Sequence, residues 1–172
     1  MRRWLWPAVA TAAAVFIGTL ALSGQRPGRA PFEPAGLMVQ VAMDRVRAVE
    51  VTGASGARRF RRSADGRWIA QTSGSTDQSA AIEEALKFLH VTRPERILRA
   101  PELGAGALTE MGLDPPLLTV TVRVDGGPAF VVHFGARNPL GTARYARAGN
   151  NSEVVLLPRH VADAWDRVAA GS

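Results

Sequence analysis

Residue types that often carry out chemistry occur in this chain, but not at spacings that would make a catalytic set. His90, His133 and His160 stand far apart. None belongs to an HExxH-like arrangement, which sets two imidazoles and a carboxylate on one helical face around a metal. Ser55 lies in the turn sequence Gly53-Ala54-Ser55-Gly56, without the spacing of a G-x-S-x-G nucleophile elbow. Glu83 and Glu84 are adjacent, so on a helix they diverge by about 100° and cannot close on one substrate. The glycines at 104–106 and 126–127 lack the patterns that cradle phosphates. Cysteine is absent, which removes thiolate nucleophiles, disulfides and Cys-based zinc sites together. The reading is a non-enzymatic protein without metal or cofactor, with an unrecognised hydrolase as the remaining alternative.

The densest charge is Arg58-Arg59-Phe60-Arg61-Arg62, with Arg67 beyond the next turn and Arg45 and Arg47 just upstream. In a strand Arg58 and Arg62 share the side of Phe60, while Arg59 and Arg61 point the other way. With Phe60 in a core, Arg59 and Arg61 become an exposed basic stripe. One reading is a solvated strand that resists edge-to-edge pairing. The other is contact with anionic headgroups or an acidic partner, at about 1 kcal/mol per basic residue near a charged surface.

These residues need elements to hold them, and composition bounds what those can be. The chain has 172 residues, with 21 basic and 15 acidic. Setting aside Arg2, Arg3, Arg26, Arg29 and Glu33 leaves 17 basic against 14 acidic, about +3 for the rest. The sequence pI of 11.3 therefore reflects the use of arginine over lysine and the charged flanks of the N-terminal segment, and argues against a nucleic-acid binder.

Trp4 to Gly24 runs without a charge after Arg2-Arg3. As a helix it would be about 31 Å long, close to the thickness of a bilayer's hydrocarbon core. Trp4 and Trp6 sit where an interfacial aromatic belt would lie, and Pro7 falls in the first turn, where a missing N–H costs little. Residues 1–24 read as an uncleaved transmembrane signal anchor in the cytoplasmic membrane, with the remainder exported to the periplasm or beyond. Cleavage after Ala21 or Ser23, giving a secreted product, is the alternative. Ala10, Ala14 and Gly18 recur every four residues and form a smooth face that a second helix could approach. Residues 25–36, rich in Gly and Pro, read as a tether, and 37–172 as one exported domain.

Within that domain, Leu37 to Met43 reads as a first strand or a lead-in. Val46–Thr52, Ala57–Arg62 and Trp68–Ala70 alternate around the turns Gly53–Gly56 and Asp65-Gly66, which predicts three strands. In the first, alternation groups Val46, Ala48 and Glu50 against Arg47, Val49 and Val51. Asp77 is placed to cap a helix carrying Ile82, Leu86 and Leu89, with Ala85 and Phe88 beside them, ending near Thr92 before Pro94. Arg96–Arg99 reads as a short strand or connector, and Leu103–Met111 as a short helix. Leu117–Val124, Ala129–Phe134, Thr142–Ala148 and Glu153–Leu157 predict four more strands. After Pro158 comes a closing helix with Val161, Ala164, Trp165 and Val168 on its buried side. Each half runs hairpin, further strand, helix. The expected architecture is α+β: antiparallel sheets packed with helices, in two similar hairpin-strand-helix units.

Between the halves stands Met111-Gly112-Leu113-Asp114-Pro115-Pro116. Gly112 permits the positive φ that ends a helix, Leu113 can plug a core and Asp114 can cap local N–H groups. Pro115 pushes Asp114 out of the helical region and Pro116 keeps the chain extended. This reads first as a structural corner. It also resembles the Tyr-Gly-Leu-Asp-Pro-Pro signature of a bacterial family catalogued as domain of unknown function 4340, with Met111 in place of the tyrosine. Asp65-Gly66-Arg67-Trp68 resembles that family's Asp-x-x-Trp hairpin, and Phe134-Gly135 followed by Pro139 to Arg147 its second signature. The resemblance implies a domain tethered by one N-terminal helix and associated with gliding-motility-type ABC transport components. The expected function is that of a membrane-anchored accessory protein of the envelope that binds a protein partner. The alternative is a domain that binds an anionic ligand or lipid surface through Arg58, Arg59, Arg61 and Arg62.

Overall fold

Period-two alternation of apolar residues, broken by Gly-rich turns, lays the second part of the chain out as a sheet. The computed structural model describes residues 35–71, 77–149 and 151–171. In chain order its elements are β1 (Val46–Gly53), β2 (Gly56–Arg62), β3 (Trp68–Ala70), α1 (Ser79–Val91), β4 (Arg96–Leu98), α2 (Ala107–Glu110), β5 (Leu118–Val124), β6 (Phe130–Arg137), β7 (Ala143–Ala148), β8 (Val154–Pro158) and α3 (Arg159–Ala170). The strands form one eight-stranded sheet in the order β3-β2-β1-β5-β6-β7-β8-β4, with every neighbouring pair antiparallel. The domain is thus mixed α+β. The separate sheets expected for the two halves are one sheet, because β1 and β5 pair along their length from Val46↔Val124 to Gly53↔Leu118.

One face of this sheet is the core. Cross-strand registers put Val49 beside Phe60 and Val122, Val120 beside Val132, Leu118 beside Phe134, and Phe134 beside Ala146. All are buried in one cluster with Ile82, Leu86 and Leu89 of α1 and Val161, Trp165 and Val168 of α3. Simple alternation groups Val46 with Ala48 and Glu50. A register shift between Val46 and Ala48 instead returns Val46 to the buried side, as a bulge does by adding one residue to a strand.

Other expectations shift locally. Leu37–Met43 forms turns rather than a strand, and leads into a short 3-10 turn at Met43–Arg45. Gly36, expected to lie in the tether, packs against the domain instead. The Gly36 N–H donates to the His90 carbonyl at 3.1 Å, and a Cβ there would collide with the Leu89 carbonyl oxygen. The helix expected over Leu103–Met111 shortens to α2, preceded by Gly106 at φ +81°. Gln78, not Asp77, holds the N-cap position of α1, although an Asp77 carboxylate oxygen accepts the Ser79 N–H at 3.0 Å.

The connection from β4 back to β5 must pass β8, β7 and β6, and it does so on the face opposite α1 and α3. Gly135 alternates away from Phe134, and a Cβ on it would strike the Met111 carbonyl oxygen and approach Leu113 to 3.0 Å. Leu113, Ala143 and Val154 are buried yet stand outside the main cluster. Part of the second face is therefore covered by Met111–Leu113, while its β3-β2-β1-β5 part keeps Ile69, Arg59, Arg61 and Arg123 exposed. Among the described residues no helix is long and apolar enough to cross a membrane. The Trp4–Gly24 run lies outside them.

Candidate functional site

The four arginines of β2 separate into different environments. Phe60 is buried, so Arg58 and Arg62 emerge on the helix side. An Arg58 guanidinium nitrogen stands 3.4 Å from the carbonyl oxygens of both Val168 and Ala169, and the group lies 5.7 Å from the Phe60 ring centre. It closes the C-terminus of α3, where carbonyls lack helical partners and the dipole favours a cation. Arg62 pairs with Glu83 at 2.6 Å and lies 5.6 Å from the centre of a Trp68 ring. The Trp68 indole N–H donates to the same carboxylate at 2.8 Å. Arg62, Trp68 and Glu83 thereby tie β2 and β3 to α1.

Arg59 and Arg61 occupy the opposite face. Arg59 pairs with Glu50 at 3.0 Å, and that hydrogen bond raises its pKa further above the usual arginine range. Arg61 stands across from Ala48 and Ile69 with no ion pair among the described residues. The expected stripe is therefore present in orientation, with one of its two charges already balanced.

The corner at Gly112–Pro116 is stitched into the sheet. Gly112 has φ +64°, and the Asp114–Pro115 peptide is cis. The Leu113 N–H donates to the Leu108 carbonyl at 2.8 Å, and the Met111 carbonyl accepts the Ala136 N–H at 2.7 Å. Leu113 and Pro116 form an isolated bridge. Leu113 is buried against Gly135, outside the main core. Asp114 and Pro115 are exposed, and the Asp114 carboxylate caps no backbone N–H among the described residues. Ala10, Ala14 and Gly18 lie outside the described residues.

Two further arginines lie outside the Arg58–Arg62 cluster. Arg144 is 8% exposed. It donates from Nε to the Gly135 carbonyl at 2.7 Å and from one terminal nitrogen to both Asp166 oxygens at 2.7 and 2.9 Å, with Phe134 beneath it at 5.7 Å. This buried clasp joins β6, β7 and α3. It lines a recess of about 210 Å³ with Ser55, Leu117 and Ala169.

Arg147 lies on the other face, in a row that runs Thr119–His133–Arg147 across β5, β6 and β7. Thr119 Oγ1 and His133 Nδ1 share a hydrogen bond at 3.2 Å. Burial, then the Arg147 charge, holds His133 below the ordinary histidine pKa. Arg147 Nε is buried without a hydrogen-bond partner among the described residues. Strand phase is the signal that could have found both: Arg144 shares the phase of inward Ala146, and Arg147 that of outward Tyr145. Among the described residues, no group of three or more His, Asp or Glu is placed to hold a metal. Compared with known proteins, the chain matches no family model, no curated protein and no solved structure.

Proposed function

We propose that this chain is a non-enzymatic, single-span accessory protein of the cell envelope. Residues 1–24 anchor it in the cytoplasmic membrane, and its exported domain binds a protein partner in an ABC-type transport or assembly system. The observation that carries the partner-binding part is the asymmetry of the sheet. One face is sealed by α1 and α3, while the β3-β2-β1-β5 part of the other presents Ile69, Arg59, Arg61 and Arg123 to solvent. The uncharged run after Arg2-Arg3 supports the anchor, and the Met111–Pro116 resemblance supports the transport association. The strand order sets β3-β2-β1, followed in the chain by α1, against β5-β6-β7-β8, followed by α3, which supports two related units. The protein reading is favoured over a lipid surface because Arg58 and Arg62 are committed to α3 and Glu83.

Fractionation tests the placement. The full chain is expected to sediment with membranes and resist carbonate extraction. Protease should digest its domain in spheroplasts but not in intact cells. Recovery in the supernatant with the first residues still attached overturns the anchor. Replacing Ala14 and Gly18 by Leu should also release a helix-packing partner from detergent pull-downs, and unchanged recovery removes that face from the proposal.

A further inference from the structure

We propose that the second sheet face, beyond the part covered by Met111–Leu113, docks an acidic segment of a protein partner, with the half-buried Thr119–His133–Arg147 row as the seat for one of its carboxylates. This rests on the partner-binding reading above and names the chemistry of the partner. The face carries Arg59 and Arg61 on β2, Arg123 on β5 and Arg147 on β7. Glu50 is the carboxylate among them, shared between Arg59 at 3.0 Å and Arg123 at 3.9 Å. One carboxylate between two guanidiniums leaves the face positive, and His133 adds no opposing charge.

The second observation is the orphaned donor. A buried N–H without an acceptor is costly in a folded protein, and Arg147 Nε is such an atom. A carboxylate accepts from a guanidinium through two parallel bonds; with Nε closed off, a Glu or Asp brought against this row would meet the terminal nitrogens of Arg147, which make no hydrogen bond among the described residues. Half-buried Val131 flanks the row on β6 and gives the stem of that side chain apolar ground. A second copy of the chain fits poorly, since it would set one cationic face against another. A lipid headgroup layer would meet exposed Arg59, Arg61 and Arg123, but a single side chain fits against the half-buried Arg147 more readily than a flat layer does.

The test uses the full chain in non-ionic detergent at low ionic strength, with a fluorescent peptide of about 12 glutamates as the probe. Anisotropy should report binding that weakens as salt is added. Arg147→Gln should weaken it by about tenfold, the loss expected for a charge-assisted bond. Arg147→Lys, which keeps the charge but not the planar donor, should fall between the two. Glu50→Gln should tighten binding severalfold by freeing Arg59 and Arg123, and Arg159→Gln on the helix side should change nothing. Thermal melts establish that each variant folds. Should Arg147→Gln fail to fold, Arg123→Gln carries the comparison, with a loss of about threefold expected.

Equal peptide affinity for wild type and the folded face variants overturns the proposal. So does weaker binding by Glu50→Gln. Tighter binding to phosphatidylglycerol vesicles than to the peptide, with Arg147→Lys equal to wild type, overturns it in favour of a lipid surface. A chain that fractionates with membranes yet ignores the peptide loses this inference alone. A chain that binds the peptide as stated yet stays soluble with its N-terminus intact loses the anchor instead.

Discussion

His133 shows how a single side chain can carry a surface's electrostatics into its stability. It sits half-buried between Thr119 and Arg147, and burial followed by the Arg147 charge lowers its pKa from the ordinary 6.5. Because the folded chain resists this proton, the unfolded chain takes it up first as pH falls. Stability contributed by the neutral imidazole is therefore intact above about pH 6.5 and is lost as the pH falls through the depressed folded-state value. His133→Gln removes the titration. Urea midpoints for wild type should drop between pH 7.5 and 5.5 by more than those of His133→Gln, the carboxylates titrating mostly below that window. Equal slopes would mean that the ring is not held neutral. Arg144 makes the complementary point. A guanidinium on the helix side of the sheet has its donors taken by Asp166 and the Gly135 carbonyl, so a buried charge here is a clasp rather than a reactive group.

At the scale of elements, the corner before β5 depends on a residue distant in sequence. Gly135 leaves room on β6 for the Met111 carbonyl and for Leu113, so the Gly-Leu-Asp-Pro-Pro segment and the Phe-Gly pair are two halves of one joint. Gly135→Ala would place a methyl group against backbone, which cannot move aside as a side chain could. The expected cost is about 1–3 kcal/mol, read as a lower urea midpoint. Gly104→Ala, with nothing within 4 Å, should change stability little. Equal midpoints for the two variants would show that residues 111–113 do not rest on β6. Alternation made the strands from Val46 to Leu157 and the two long helices legible in the sequence, because each has one face that must leave water. The bulge at Val46 was not legible, since an added residue reverses phase without altering composition. The joint at Gly135 was hidden for another reason: it pairs residues more than twenty positions apart, where local pattern carries no distance information. The arginines of β2 were visible as a cluster, yet their division into two structural and two outward residues required knowing where Glu83, Glu50 and the end of α3 lie.

For the domain as a whole, the decisive feature is that its two strand sections share one sheet through β1 and β5. Val49 faces Val122 and Val51 faces Val120 across that junction, inside a cluster that also holds Trp68 at one end and Trp165 on the closing helix. Two units with separate cores could unfold one after the other. A continuous core of this kind should unfold in a single step, as small domains do when no section can keep its apolar face out of water alone. The two buried tryptophans can report separately once Trp4 and Trp6 are replaced by Phe: Trp68 for β3 and the first section, Trp165 for α3 and the second. In single-tryptophan versions of the full chain held in non-ionic detergent, both fluorescence signals should change at the same urea concentration relative to each variant's own circular-dichroism transition. Val120→Ala, which opens a cavity at the junction and costs about 1–3 kcal/mol, should shift the two signals together. A Trp165 transition that stays in place while the Trp68 transition moves would show that the units are joined by hydrogen bonds along β1 and β5 without sharing stability.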